Sequence, residues 1–185
     1  MLHAPLASLS RMASDSAKAP NLAVATVTRP ANTTAYTLKD AIFNVPPGGS
    51  QPKAIVFDNV VGGSGGSGYI VSALLIDTAA AATKLDADLL LFSEAPSAAP
   101  VDNDLYAPNA AYLAKLVGVI SFTGSIAKEV GGNTLYSVAV NQAIECAEGS
   151  KKLYGVLIAR NAYVPASGEQ FIIKLSVLPR GIAVI

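Results

Sequence analysis

VVGGSGGSGYIVSALLI, at residues 60–76, separates two possible fold classes. It contains a G-x-G-x-x-G pattern at Gly63, Gly65 and Gly68. In a dinucleotide-binding domain, the third glycine of this pattern opens a helix whose amides hold the pyrophosphate. Here that glycine is followed by YIVSALLI, a nearly continuous apolar run that is typical of a strand, and the chain has only one such unit. We therefore interpret the stretch as a glycine-rich turn that leads into a β-strand.

Short apolar runs separated by turn residues continue on both sides of this stretch. In the first run, at residues 21–28, apolar side chains alternate before Pro30 ends the strand. The pattern predicts an all-β fold, a jelly-roll-like antiparallel β-sandwich or barrel of about eight strands with short helical turns. The only helical candidates are TAAAATKL at 78–85 and NAAYLAKL at 109–116. The further strand candidates are DAIFNV, KAIVFDNVV, DADLLLFSEAP, AKLVGVISF, NTLYSVAVNQAIECA, KKLYGVLIARNAYVP and EQFIIKLSVLP.

Length and composition favour one β domain at residues 21–185, preceded by a flexible N-terminal arm at residues 1–20 that is rich in alanine and serine. The 13 basic and 13 acidic residues balance, and charged residues make up 14% of the chain, so no nucleic-acid-binding face is indicated. No apolar run approaches the length of a membrane span. We expect neither nucleic acid nor a membrane as a partner.

Residues suited to catalysis are scarce. The one histidine, His3, lies in the N-terminal arm, and the one cysteine, Cys146, lies in an alternating strand pattern without a histidine to activate it. The acidic cluster at 102–104 suggests either a calcium site or a turn, and we favour the turn because the spacing and glycine of a calcium loop are missing. We predict no catalytic residue, no metal site and no cofactor.

A motif set that begins at residue 29 resembles a known family. The residues Arg29, Pro30, Ala31, Thr33, Thr34, Ala35 and Tyr36 match an Arg-Pro-Ala-x-Thr-Thr-Ala-Tyr motif, and Lys39-Asp40 stands where that pattern usually has Gly-Asp. Later elements fit as well: Asp102-Asn103 before the strand at 116–120, Leu153-Tyr154-Gly155, and Tyr163-x-Pro165 before the last strand. Over residues 22–178 the chain resembles the head decoration, or capsid cement, proteins of tailed bacteriophages.

This resemblance implies a virion structural protein, made in the host cytoplasm, that binds the outer surface of the head. Its expected partners are the major capsid protein and further copies of itself, as a homotrimer. Four residues of the motif form a possible assembly contact or structural corner: Arg29, Pro30, Tyr36 and Asp40. For Tyr36 we favour the corner, with its ring buried and its hydroxyl at the edge, and Arg29 is expected to pair with Asp40.

Two other functions stay open. A receptor-binding or carbohydrate-binding module could use the same sandwich, although aromatic residues make up 6% of the chain and tryptophan is absent. A nucleotide-dependent enzyme would need the loop at 63–68, but Tyr69 and Ile70 stand where a phosphate-binding loop has Lys and Ser or Thr. We therefore expect that the chain is not an enzyme.

Overall fold

The structure is a computed structural model that describes residues 19–44, 54–96 and 101–180. In these ranges it contains ten strands, one short α-helix and a 3₁₀ turn at Gly124–Ile126. The elements are β1 (Asn21–Thr28), β2 (Ala41–Ile42), β3 (Ile55–Phe57), β4 (Ser67–Asp77), β5 (Ala87–Phe92), α1 (Ala110–Leu113), β6 (Leu116–Phe122), β7 (Lys128–Val130), β8 (Asn133–Glu145), β9 (Leu153–Ala159) and β10 (Gln170–Pro179). The predicted all-β class is confirmed. The predicted arm lies outside the described residues, apart from positions 19 and 20.

The strands form two antiparallel sheets that face each other across one core. The first sheet has the order β1-β10-β4-β8-β7, and the second has the order β2-β9-β5-β6, with β3 also paired to β9. Residues of alternate position on each strand point into the core: in β1 these are Ala23, Ala25 and Val27, whereas Leu22 and Val24 face outward. This period of two is the physical basis of the sandwich, since each sheet buries one face.

The strand pairs are nested: along the sequence, each pair encloses the next one. The first strand pairs with the last (β1 with β10), β2 and β3 pair with β9, β4 pairs with β8, and β5 pairs with β6. Two further pairs, β10 with β4 and β5 with β9, join these hairpin-like pairs into the two sheets. The pairing therefore joins the first strand to the last and, near the middle of the chain, β5 to β6.

Part of the outer face of the second sheet is also covered by the chain itself. On that face Phe92 and Val156 are buried together with Phe43, and the Tyr112 ring stacks on Phe92 with centroids 4.2 Å apart. Tyr112 belongs to α1, whose N-terminus is capped by the Asn109 side chain. The helix predicted at 109–116 is thus one turn long, and β6 begins directly after it.

The helix predicted at 78–85 does not form, although alanine has the highest helix propensity of all residues. The backbone groups that a helix would use are bound elsewhere. The Ala79 carbonyl accepts from the Thr134 hydroxyl over 3.0 Å. At the other end, the Leu85 amide donates to the Tyr136 hydroxyl over 3.0 Å. These tertiary contacts hold the segment as a loop.

Candidate functional site

Two of the four motif residues, Arg29 and Tyr36, lie buried at the corner after β1. Their exposed fractions are 2% and 0%. The Arg29 Nε donates to the Tyr36 hydroxyl, and its guanidinium lies 4.6 Å from the centre of the Tyr36 ring. Burial, reinforced by the neighbouring Asp102 carboxylate, raises the pKa of Tyr36 above its ordinary value. The ring is buried as predicted, but the hydroxyl lies inside rather than at the edge.

The charge partner of Arg29 is Asp102, and not Asp40 as the sequence suggested. The Arg29 Nη2 lies 3.6 Å from Asp102 Oδ2, and Asp102 Oδ1 accepts from the Tyr36 hydroxyl over 2.7 Å and from the Phe43 amide over 2.9 Å. One carboxylate therefore joins the corner to the segment that covers the second sheet. A guanidinium this deeply buried needs such a counter-charge, because a lone charge is costly in the protein interior.

Asp40 closes a local turn instead of pairing with Arg29. Its carboxylate accepts from the Thr37 amide over 2.6 Å and from the Thr37 hydroxyl over 2.9 Å. Lys39, which directly precedes Asp40, has φ of 74°, a conformation that favours glycine. Pro30 caps the other side of the corner, where its carbonyl accepts from the amides of Asn32 and Gly168. The four predicted residues thus share one corner but act through different partners.

A second buried polar group, which the sequence analysis missed, lies beyond this corner. The Tyr163 hydroxyl lies 2.5 Å from Glu169 Oε1 and 3.1 Å from Asp77 Oδ2, and all three residues are at most 3% exposed. Within the described ranges, no cation forms an ion pair with either carboxyl. Burial, together with the adjacent Glu169, raises the pKa of Asp77 to about 7.

The hydrogen-bond count gives a further physical reason for the raised pKa of Asp77. A tyrosine hydroxyl donates one hydrogen, so it can donate to one carboxylate only. If Asp77 is protonated, it donates to the Tyr163 oxygen while Tyr163 donates to Glu169, and each short contact then has a hydrogen. The two carboxyls also close their own loops, since Asp77 accepts from the Ala79 amide and Glu169 from the Ala166 amide. We refer to Asp77, Tyr163 and Glu169 as the carboxyl pair cluster.

The glycine-rich loop leads into a strand, as the sequence predicted. β4 begins at Ser67, so no helix N-terminus follows Gly68. The role of glycine at this position is close packing: a Cβ atom on Gly68 would lie 2.8 Å from the Leu178 carbonyl oxygen. Gly65 has φ of 66°, which a turn requires and which L residues rarely adopt. The loop geometry is therefore explained by backbone packing.

The outer face of the first sheet is a broad surface with little charge. Three cross-strand rows of four residues run over β1, β10, β4 and β8, and we call these twelve residues the outer sheet face. Seven are apolar, four carry small hydroxyl groups, and Lys174 is the one charged member. Leu22 and Val24 are 61% and 45% exposed. The rows are Thr26, Ile172, Ile76 and Leu135; Val24, Lys174, Leu74 and Ser137; and Leu22, Ser176, Ser72 and Ala139.

In the described part of the chain, no group of three or more metal-ligating side chains comes together. The cluster at 102–104 forms a turn in which Asn103 has φ of 66°. Asp102 forms its ion pair with Arg29. Cys146 is buried, and that burial raises the pKa of its thiol to about 11. None of the helices in the described ranges is long and apolar enough to cross a membrane. In comparisons with known proteins, no protein-family model and no curated protein matched this chain.

Proposed function

We propose that the chain is a virion structural protein that binds the outer surface of a bacteriophage capsid as a decoration, or cement, protein and stabilises the head. The observation that carries the proposal is the outer sheet face, which has one charged residue among twelve. A flat surface with so few charges favours burial against another protein. The motif set from Arg29 to Asp40 and the later matching elements support the same function.

The nested strand pairing supports a jelly roll as the finer description of the sandwich. Rolling one long antiparallel hairpin onto itself places its successive strand pairs alternately in two facing sheets, as in a jelly roll. In this chain β1, β4, β8 and β10 fall in one sheet, and β2, β3, β5, β6 and β9 fall in the other. Such a sandwich presents flat sheet faces to its partners.

The size of the outer sheet face suggests how the contact is built. Four strands about 4.8 Å apart and three rows about 6.8 Å apart cover roughly 400 Å². A stable protein interface buries about 800 Å² on each partner, so this face would supply about half of one. We propose that the N-terminal arm at 1–20 supplies further area on a neighbour. The partners would be the major capsid protein and two further copies of the chain, on the capsid exterior.

The first experiment measures the molar mass of the purified protein by light scattering coupled to size exclusion, followed by co-sedimentation with purified phage heads. We expect a trimer that sediments with the heads. The Val24→Glu variant places a carboxylate in the middle row of the outer sheet face, on the edge strand β1, and should lower the bound fraction at least tenfold, because the charge would be buried at the contact. Thermal melting checks that the variant folds.

The matched control is Val119→Glu, which makes the same substitution on β6 of the second sheet at a residue that is 44% exposed and lies outside both the motif and the outer sheet face. It should bind heads as well as the unmodified protein. Equal loss in both variants would show a general charge effect and contradict the proposed face. A protein that does not sediment with heads at all would contradict the proposed function.

A further inference from the structure

A groove of about 570 Å³ lies at one end of the first sheet, where β4 begins between the ends of β8 and β10. This volume is in the range of sites for small ligands. We call it the glycine groove, because residues 65–68 form one side of it; Tyr69, Val117, residues 143–145 and Arg180 complete its lining. It lies beyond the three rows of the outer sheet face and shares no residue with them.

Two cross-strand rows place side chains at the groove. In one row Tyr69 lies between Leu178 and Ala143, and in the next Ser67 lies between Arg180 and Glu145. Tyr69 is 39% exposed and is the one aromatic residue among the large exposed apolar residues of the described ranges. Its neighbour on β8, Ala143, has only a methyl group, which leaves room for a ring to lie against the tyrosine.

Arg180 and Glu145, the charged residues on either side of Ser67, are separated from each other by β4. Neither Arg180 nor Glu145 takes part in an ion pair within the described residues. Because neighbouring strands lie about 4.8 Å apart, the two backbones on either side of β4 are roughly 10 Å apart. The groove therefore presents a guanidinium donor at one side, a carboxylate acceptor at the other, and a hydroxyl between them.

From this arrangement we propose that the glycine groove binds a neutral saccharide. The apolar face of a sugar ring stacks on Tyr69, its hydroxyl groups donate to Glu145, and Arg180 donates to its oxygen atoms. The opposite charges offset each other, so the site favours a neutral polar ligand. A phosphate is disfavoured because Glu145 would repel it and the one guanidinium would be its only cation. This site is separate from the capsid contact and does not depend on the proposed function.

The test is saturation-transfer NMR with glucose, galactose, mannose, N-acetylglucosamine and maltose, and with AMP as the charged comparison. We expect at least one saccharide to bind saturably with a Kd on the order of 1 mM, as a shallow site for one ring would give. AMP should not bind at the same concentrations. If no saccharide saturates, or if AMP binds and the saccharides do not, the proposal is wrong.

Variants locate the binding on the groove. Tyr69→Ala should weaken saccharide binding at least tenfold, whereas Tyr69→Phe should retain it because the ring face remains. Glu145→Gln and Arg180→Gln should each weaken it several-fold. Leu22→Ala, which truncates another exposed residue on the same side of this sheet, should leave it unchanged. Full affinity in Tyr69→Ala, or an equal loss in Leu22→Ala, would overturn the assignment to this groove.

Discussion

Lys39 adopts a backbone conformation that costs energy for any residue with a Cβ atom. Its φ angle is 74°. In the decoration-protein motif that this segment resembles, glycine usually stands at this position. The left-handed conformation costs about 1–2 kcal/mol for an L residue, and glycine gives back about 0.5–1 kcal/mol in the entropy of the unfolded chain. Lys39→Gly should therefore raise the free energy of unfolding by about 0.5–1 kcal/mol, measured by urea denaturation. Lys39→Ala keeps the Cβ atom and should change it little; equal gains in both variants would contradict the strain.

Asp102 is expected to be essential for the buried corner. In Asp102→Ala the Arg29 guanidinium stays buried without its counter-charge, and Tyr36 and Phe43 lose an acceptor. Breaking a buried pair from one side typically costs about 3–5 kcal/mol. Urea denaturation should show a loss of this size. Asp104→Ala, which truncates an exposed residue of the same turn, serves as the control and should stay within about 0.5 kcal/mol of the unmodified protein.

The carboxyl pair cluster makes stability depend on pH. The pKa of Asp77 is raised from 3.8 to about 7 on folding, mainly by burial. Between these values the folded protein holds a proton that the unfolded chain has released, so the contribution of Asp77 to stability is fully present below pH 3.8 and is lost as the pH rises through about 7. Urea denaturation should give a free energy of unfolding at least about 1 kcal/mol lower near pH 8 than near pH 5. In Asp77→Asn this difference should shrink; an unchanged difference would assign it to other groups.

The sequence placed Arg29, Tyr36 and Asp40 at one corner, but it could not give their partners. Local turns such as the one closed by Asp40 and Thr37 lie within reach of short-range rules. The contact between Tyr36 and Asp102 joins residues 66 positions apart. No single sequence shows which of several acidic residues meets a buried arginine, because that depends on how the strands pair. The carboxyl pair cluster was missed for the same reason.

At the level of elements, the β7-β8 hairpin depends on its two glycines. Val130 pairs with Asn133 across Gly131 and Gly132, whose φ angles are 57° and 80°. Two positive φ values define the hairpin turn that prefers Asn-Gly or Gly-Gly. Gly132→Val should strain the turn by about 1–2 kcal/mol. Since all three β7 residues are exposed, we expect this strain to open the hairpin locally.

Amide hydrogen exchange by NMR measures this effect. Exchange in β7 should become about tenfold faster in Gly132→Val, while the amides of β4 stay protected. Gly131→Asn is the matched control, because asparagine tolerates the left-handed conformation and should leave exchange within a factor of about two. Global unfolding in the valine variant would show that the hairpin is coupled to the whole sheet, against our expectation.

Most strands could be predicted from alternation and turn residues, but β7 and the loop at 78–85 could not be assigned correctly. The Gly131-Gly132 pair is a known hairpin signal, and it would have revealed β7. The helix candidate at 78–85 was wrong because it rested on the local helix propensity of alanine. The Thr134 hydroxyl donates to the Ala79 carbonyl and the Tyr136 hydroxyl accepts from the Leu85 amide, and these contacts override that preference. The error at 78–85 thus comes from distant contacts, whereas β7 was missed although its signal is local.

For the whole molecule, we predict that removing residues 1–20 leaves the domain folded and weakens binding to phage heads. β1 begins at Asn21, and its pairing with β10 does not use the deleted residues. The melting temperature should change by less than about 3 °C, while the bound fraction in co-sedimentation should fall. Unchanged head binding by the shortened protein would refute the role of the arm. A loss of folding would instead mean that these residues belong to the domain.

The two-sheet sandwich could be predicted from the sequence, whereas the order of its strands could not. Period-two patterns in β1 and β10 show that each strand buries one face. They do not show that β10 lies between β1 and β4, since many pairings satisfy the same pattern. The outer sheet face exists only in that order, because its rows cross four strands that are far apart in the chain. For this reason the candidate contact surface emerged from the structure.

The nested pairing also has a consequence for synthesis of the protein on the ribosome. The first sheet needs β10 between β1 and β4, and β10 is made after every other strand of that sheet. Until residues 170–179 leave the exit tunnel, β1 has no partner and the neighbouring edge of β4 is open. Such long-range pairing is slow to form and leaves apolar edges exposed in the meantime. We therefore expect this sheet to be completed only after residues 170–179 have left the exit tunnel, with the newly made chain prone to aggregation until then.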